Sequence, residues 1–169
     1  VGISSIGDTT VVTDKWMLGT RNSFFIGIVA TLLATALGTV AALGLSRPHM
    51  PFKAVLMAIL ISPMIVPLII TAAGMFFFYS KVGLTHTYLG LILAHTALGT
   101  PFVVITVTAT LTGFDTNLIR ASQSLGADTM RTFFKVIMPL ILPGVISGGL
   151  FAFVTSFDEV VIVMFVGSV

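Results

Sequence analysis

Cysteine is absent from this chain of 169 residues, and charged residues make up only 8% of it. The missing thiols exclude disulfide bridges and thiolate metal sites, although they do not report the redox compartment. Soluble domains carry about 25% charged residues, so a water-soluble fold this poor in charge would have too little polar surface to stay dispersed. The composition, with 56% hydrophobic residues, therefore predicts a protein of the lipid bilayer.

Basic clusters and catalytic constellations are missing as well. The Lys and Arg residues form no cluster of the kind that tracks phosphates, so nucleic acid is not an expected partner. No phosphate loop of the Gly-x-x-x-x-Gly-Lys-Ser/Thr type occurs, so the chain is not expected to bind ATP in that way. His86 and His95 lack the spacing of metal ligands, and His95 is interpreted as a satisfied polar group in a helix bundle. We predict no catalytic residue, no metal site and no cofactor site, and hence no enzyme.

What the chain does contain is four apolar segments, each long enough to cross about 30 Å of hydrocarbon as a helix of about 20 residues. A backbone in lipid must satisfy its own hydrogen bonds, and the alternating pattern of barrel strands is absent, so helices are predicted. The predicted spans are Asn22–Leu45, Phe52–Tyr79, Tyr88–Thr112 and Ile137–Val166. The predicted fold is all-α, a polytopic transmembrane helical bundle in residues 22–169 that follows a lead segment in residues 1–21.

Small residues recur every four positions in the first and fourth spans, and prolines interrupt the second and third. Such ladders let helix backbones approach closely in lipid, so bundle packing is favoured over a pore-lining stripe. The ladders are Ala30, Ala34, Gly38 and Ala42 in the first span, and Gly144, Gly148, Ala152 and Ser156 in the fourth. Pro63, Pro67 and Pro101 each remove a backbone hydrogen bond and are expected to bend their helices.

The distribution of Lys and Arg predicts how the spans are oriented. Five basic residues flank the loops on one side, and three lie on the other. They are Arg47, Lys53, Arg120, Arg131 and Lys135 against Lys15, Arg21 and Lys81. The excess favours a cytoplasmic location for the loop at residues 46–51 and for the long loop, with an extracytoplasmic lead. If the N-terminus lies on the cytoplasmic side, at least one earlier span is then needed, so we expect a piece of a larger bundle.

The long polar loop, residues 113–138, has the signals of two short helices joined by a turn. Asp115 or Thr116 can cap the first helix, and Gly126 can end it in a left-handed turn. Asp128 or Thr129 can cap a second helix that leads into the fourth span. These signals leave two interpretations open, a docking platform for another protein or an amphipathic helix lying on lipid.

The sequence of this loop resembles that of the permease subunits of binding-protein-dependent ABC importers. The resemblance extends over residues 22–169, and its specific part is a spaced motif in the loop. The motif reads Ala121-Ser122-Gln123-Ser124-Leu125-Gly126-Ala127, then Arg131-Thr132-Phe133, then Pro139-Leu140-Ile141-Leu142-Pro143-Gly144. Arg120 replaces the usual Glu of the family and reverses a charge, whereas Ser122 for Ala and Met138 for Leu are milder departures.

The resemblance implies a location, partners and a coupling site. It implies a multi-pass protein of the bacterial plasma membrane, of which this chain would supply four of about six spans. The implied partners are cytoplasmic ATP-binding subunits, a second permease subunit and an extracytoplasmic solute-binding protein. ATP and Mg would belong to the ATPase subunit, with no cofactor in this chain. The implied ATPase-coupling residues are Arg120, Ala121, Ser122, Leu125, Gly126 and Ala127.

Two adjacent acids near the end of the fourth span form a second candidate site. Residues 155–161 resemble the acidic pair of spermidine/putrescine-type permeases. On a continuous helix, Asp158 and Glu159 would lie about 22–24 Å beyond Pro143, in the outer half of the membrane. Glu159 would then share the small-residue ladder, and Asp158 would point about 100° away. They are read either as a cation-attracting patch on the substrate path or as a structural pair, which would be a cap at a helix break after Ser156 or a salt bridge to another subunit.

Together these features predict the transmembrane subunit of an ATP-driven ABC importer. Its predicted cargo is a small polar solute, a polyamine such as spermidine or putrescine. One alternative keeps the importer class and changes the cargo to an amino acid derivative or an organophosphonate. Another is a stand-alone secondary transporter or channel, for which the long loop would be dispensable.

Overall fold

The structure of this chain is a computed structural model, which describes residues 5–47 and 49–167, with side chains from residue 16 onward. The described residues form helices without any strand, which confirms the all-α prediction. The helices are α1 (Ser5–Leu45), α2 (Lys53–Ile65), α3 (Leu68–Val82), α4 (Tyr88–Thr112), α5 (Asn117–Ser124), α6 (Thr129–Thr132), α7 (Met138–Asp158) and α8 (Val161–Val166). A π-helical turn, Phe133–Ile137, joins α6 to α7.

Helices α1, α4 and α7 form the packed core, and the two ladders of small residues lie in it. Every member of both ladders is buried, from Ala30 to Ala42 in α1 and from Gly144 to Ser156 in α7. Gly99 of α4 lies between the ladders, where a Cβ atom would be 3.2 Å from Ala34 Cβ and 3.0 Å from Ala152 Cβ. The ladders therefore bring three backbones together, which confirms the prediction of bundle packing.

The facing residues show which way each core helix runs. Neighbours across the core are Ala30 and Thr96, Gly38 and Val103, His95 and Ser156, and Gly144 and Thr110. Helix α1 is therefore parallel to α4, and α7 is antiparallel to both. The two loops predicted to share a side, residues 46–52 and 113–137, accordingly lie at one end of the bundle.

The second predicted span is not one continuous helix. Helices α2 and α3 are bent by 102° at the break between them. The cause is Pro67, which restricts Val66 to an extended conformation (φ −71°, ψ 134°) and has no N–H to continue the helix. Because α1 ends where α4 also ends, the bent pair must return the chain to the opposite end. Among the described residues, three single helices are long and apolar enough to span, and the bent pair counted as one crossing brings the number to the predicted four.

Of the other three spans, one has the predicted bounds and two differ from the prediction. Helix α4 has the predicted bounds, and α1 ends at Leu45 as predicted but begins at Ser5, so helix extends into the segment interpreted as a lead. The fourth span was predicted to run to Val166, whereas α7 ends at Asp158 and a separate α8 follows. Helix α8 packs on α3, and Val166 O accepts a hydrogen bond of 2.8 Å from His86 N.

Candidate functional site

The long loop folds into an elbow made of α5 and α6. Asp115 Oδ1 accepts a hydrogen bond of 2.9 Å from Asn117 N at the start of α5, so Asp115 rather than Thr116 supplies the side-chain cap. Asp128 Oδ1 accepts one of 2.7 Å from Arg131 N and caps α6 in the same way. Both acids of the elbow are therefore engaged by its own backbone, and each helix start is fixed by a local contact.

Gly126 makes the bend of the elbow. Its φ of +81° lies in the left-handed region, which L side chains adopt at a cost. Gly126 N donates to Gln123 O at 3.0 Å, and the next residue, Ala127, donates from its N–H to Ser122 O at 3.0 Å. These bonds satisfy the last carbonyls of α5 in the pattern expected after a left-handed residue. The structure confirms the turn that the sequence predicted at this glycine.

The outer surface of the elbow exposes apolar side chains beyond the ends of the core helices. Leu125 is 89% exposed at the tip, Met130 is 67% exposed and Phe134 is 60% exposed. Arg120 and Ala121 are exposed beside them. An apolar side chain protruding from a turn is suited to insertion into a pocket of another protein, the position where binding energy concentrates. Exposed apolar side chains at this end of the bundle suit docking on another protein, and they also suit contact with the surface of the bilayer.

The inner surface of the elbow is held by two hydroxyl groups. Ser122 Oγ of α5 lies 2.8 Å from Thr132 Oγ1 of α6, and Thr132 is only 3% exposed. The π-helical turn follows at once, closed by a hydrogen bond from Met138 N to Phe133 O, five residues earlier. Turns of this kind occur frequently at functional sites. Neither the hydroxyl pair nor the π-helical turn was predicted; the only sequence signal near the turn is Pro139, which has no N–H to donate.

The two acids lie where α7 ends. Asp158 is the last residue of α7 and is exposed, whereas Glu159 is half-buried in an extended conformation (φ −81°, ψ 102°). Glu159 Oε1 accepts a hydrogen bond of 3.0 Å from Ile162 N and so caps α8. The expectation that Glu159 continues the small-residue ladder was wrong, because the helix breaks before it. The cap is one of the structural roles that the sequence left open, and Asp158 is left as the exposed charge.

A buried polar pair lies immediately below this break. His95 Nδ1 of α4 is 2.9 Å from Ser156 Oγ, two residues before the end of α7. His95 is 3% exposed and Ser156 is 8% exposed. The prediction that His95 is a satisfied group of the bundle is correct for Nδ1, whereas Nε2 is buried without a hydrogen-bond partner among the described residues. Ser156 was expected only as a small packing residue, so its polar role was missed.

Most of the chain matches one known protein family. Residues 34–169 match the family described as the inner membrane component of binding-protein-dependent transport systems. This chain belongs to that family. The matched range contains the elbow, both acids and most of the packed core. The family description, together with the apolar crossings, confirms the predicted location in the inner membrane.

Individual relatives include permeases with different named cargoes. The chain is 34% identical over 148 residues to the spermidine/putrescine transport system permease protein PotC of Haemophilus influenzae, covering 88% of this chain and 58% of PotC. It is 29% identical over 153 residues to PotC of Escherichia coli K12, covering 90% and 58% of the two chains. It is also 28% identical over 138 residues to the sulfoquinovosyl glycerol transport system permease protein SmoH of Agrobacterium fabrum, covering 82% and 48%. The chain thus spans 58% of the length of both PotC proteins, and the named cargoes of its relatives differ.

Proposed function

We propose that this chain forms the transmembrane subunit of an ATP-driven importer and that its elbow docks on a cytoplasmic ATP-binding subunit. The observation that carries the proposal is Leu125, an apolar side chain that is 89% exposed on a turn beyond the membrane spans. Together with the exposed Met130 of α6 and Phe134 of the π-helical turn, Leu125 gives this end of the chain an apolar surface suited to a partner subunit. The chain itself carries no ATP or Mg; both belong to the partner subunit.

The proposal assigns the remaining surfaces to further partners. Helix α2 has no buried residue within the chain although it is strongly apolar, which suits contact with lipid or with a second permease subunit. The end of the bundle with Asp158 would face an extracytoplasmic solute-binding protein. In this arrangement residues 1–21 lead in from outside, residues 22–169 form the permease domain, and residues 113–138 form the cytoplasmic coupling loop.

The proposed mechanism uses the elbow as a mechanical link. ATP binding closes the pair of ATPase subunits, and the docked elbow moves with them. Helix α7 follows because the π-helical turn connects it directly to α6. The close packing of α7 on α1 and α4 then shifts the core as a body, which opens the path on alternate sides of the membrane.

The proposed cargo is a small polar cation, with a polyamine first. Its support is the exposed Asp158 at the outer end of α7 and the similarity to two spermidine/putrescine permeases. An acid in the outer half of a membrane protein usually faces a bundle interior or a water-filled path, where it attracts cations. Another cargo within the same importer class is the second candidate, because a sulfoquinovosyl glycerol permease is also a relative.

Reconstitution tests the importer assignment. The full-length permease would be placed in proteoliposomes with its ATPase, its second permease and its binding protein, and uptake and ATP hydrolysis measured together. We expect uptake to require ATP, Leu125→Asp to lower ATP-dependent uptake at least tenfold, and the conservative Leu125→Met to retain it. Uptake that follows an ion gradient without ATP, or that is unaffected by Leu125→Asp, would assign the chain to secondary carriers or channels.

A cargo panel tests the choice of solute. Spermidine, putrescine, an amino acid derivative, an organophosphonate and an uncharged glycoside would be offered to the wild-type complex and to an Asp158→Asn variant. We expect polyamine uptake to fall in the variant while ATP hydrolysis in the absence of cargo is unchanged. If Asp158→Asn leaves polyamine uptake intact, or if the complex prefers an uncharged glycoside, the cation assignment is wrong although the importer assignment stands.

A further inference from the structure

The hydrogen bond between Ser122 and Thr132 connects the two helices of the elbow. Among the described residues it is the one side-chain hydrogen bond between α5 and another helix. The hydroxyl of Ser124, by contrast, donates within α5 to Arg120 O at 3.0 Å. It joins residues ten positions apart across the turn at Gly126. The distance of 2.8 Å between the two hydroxyl oxygens is that of a well-formed O–H···O bond.

The proton positions in this pair follow from the neighbouring contacts. Ser122 Oγ also lies 2.9 Å from Ile119 O, to which its single proton is donated. The Thr132 hydroxyl therefore donates to Ser122 Oγ, which has lone pairs free to accept. Thr132 is 3% exposed, so without Ser122 its donor would be left without a partner in a buried place. Ser122 is thus the acceptor on which a buried donor depends.

The inner side of α5 has little packing that could hold the helix if this hydrogen bond were lost. A cavity of about 460 Å³ lies between the inner side of α5 and the ends of the core helices. Its walls include Leu43, Arg47, Phe114, Ile119, Thr132 and Phe133. A helix above an open cavity has few close neighbours to hold its angle, so a directional contact at its edge has a large share in setting that angle.

We infer that Ser122 and Thr132 are a positioning pair that sets the angle of α5 and passes its movement to α7. Thr132 directly precedes the π-helical turn, which leads into α7 without a break. A displacement of α5 is therefore transmitted through the hydrogen bond between Ser122 and Thr132 to the start of α7. This inference rests on the proposed docking of the elbow, and it adds a contact inside the chain through which the docked helix acts.

The experiment compares matched hydroxyl deletions in the reconstituted full-length complex. Ser122→Ala and Thr132→Val each remove one partner, Thr132→Ser keeps the hydroxyl, and Ser124→Ala removes an exposed hydroxyl from the same helix. The readout is the number of cargo molecules imported per ATP hydrolysed. We expect this ratio to fall about threefold to tenfold in Ser122→Ala and Thr132→Val, the factor that one neutral hydrogen bond contributes to an equilibrium. Thr132→Ser and Ser124→Ala are expected to match the wild type.

The double variant Ser122→Ala/Thr132→Val separates positioning from stability. Replacing both partners leaves no unpaired buried donor, so thermal stability is expected to recover toward the wild type while import per ATP stays low. A second readout uses spin labels at Asn117→Cys and Arg131→Cys, two exposed sites in a chain that has no cysteine of its own. The label-to-label distance distribution is expected to broaden in Ser122→Ala.

The outcomes distinguish this inference from the proposed function. If the wild-type complex shows no ATP-dependent import, the proposed function fails. If the wild type imports but Ser122→Ala and Thr132→Val keep its import per ATP and its distance distribution, the positioning pair is overturned alone. If the ratio recovers together with stability in the double variant, the pair has only a structural role, and the inference is also overturned.

Discussion

The packed core and the elbow both depend on glycine, but for opposite reasons. At Gly148 in α7 a Cβ atom would collide with the side chain of Thr106 and lie 2.7 Å from Val103 Cα. At Gly126 in the elbow a Cβ atom would meet none of the described residues within 4 Å, yet φ is +81°. The core glycine therefore provides space for a neighbouring backbone, whereas the elbow glycine provides a backbone conformation.

This difference matches the different roles of the packed core, which moves as one body, and of the elbow, which is proposed to contact a partner. In the core, three backbones are in contact through small residues, so a movement of α7 is transmitted to α1 and α4. In the elbow, shape is set by caps, a turn and one hydroxyl pair, and the outer surface is left free. A region defined by local contacts can present Leu125 to a partner without support from packing around it.

Replacement of Gly148 by alanine is expected to have the largest effect. The added methyl group would press on the α4 backbone at Val103, which cannot move without displacing the core, and overpacking of this kind costs about 1–3 kcal/mol. Thermal unfolding of the purified full-length protein in detergent measures the loss. Gly44→Ala is the matched control, since Gly44 lies in the core helix α1 and no described residue comes within 4 Å of the added atom. Equal stability of the two variants would contradict the packing role of the ladder.

Gly126→Ala is expected to have the next largest effect, and to act through strain. An alanine in the left-handed region costs about 1–2 kcal/mol relative to glycine, and asparagine costs less. Gly126→Asn should therefore couple import to ATP better than Gly126→Ala. At Gly148 the order should reverse, because asparagine is larger than alanine. Import per ATP ranks the two variants at Gly126, and melting temperature ranks the two at Gly148. If alanine and asparagine rank in the same order at both sites, the two glycines do not differ in the way proposed.

Much of the fold could be predicted from the sequence because its causes are local or periodic. Apolar length and the bilayer thickness predicted four crossings, and the bounds of α4 were correct. A bend at Pro67 was expected, but its size of 102° was not predicted, since a proline restricts its neighbour but does not fix the angle that results. Helix α8, which packs on α3, lies within a segment that was predicted as part of one continuous span.

The site shows the same division between local and long-range causes. The cap at Asp128 and the turn at Gly126 were predicted because each depends on residues within a few positions of each other. The pairs Ser122 with Thr132 and His95 with Ser156 were missed, because separations of 10 and 61 residues leave no trace in a local pattern. The role of Glu159 was ambiguous in the sequence, and the helix break is what assigns it to the cap.

Glu159 offers a smaller and more specific test at the far end of the core. Glu159→Gln keeps an oxygen that can accept from Ile162 N, so α8 should remain capped, whereas Glu159→Ala removes the acceptor. We expect Glu159→Ala to lower stability by about 1 kcal/mol and Glu159→Gln to change it little. Hydrogen exchange at the start of α8 measures the local loss. If both variants lose protection equally, the negative charge matters more than the cap.

Replacement of Arg120 is expected to have the smallest effect. It should change binding to the ATP-binding subunit and leave the stability of the chain unchanged. Its side chain is exposed, so Arg120→Glu should leave the melting temperature of the chain unchanged. If the partner surface carries an acid opposite it, the variant should associate more slowly with the ATP-binding subunit. Binding kinetics of the full complex at several salt concentrations measure this.

The salt dependence separates a specific contact from a general change in charge. Screening shortens the reach of a charge from about 10 Å at 0.1 M to about 3 Å at 1 M salt, so the deficit should shrink as salt rises. Lys53→Glu is the matched control, because Lys53 is an exposed basic residue at the same end of the bundle but outside the elbow. If Lys53→Glu slows association as much as Arg120→Glu does, net charge at this end of the molecule is the cause. A deficit specific to Arg120 would instead mark it as the residue by which this elbow selects an acidic partner surface.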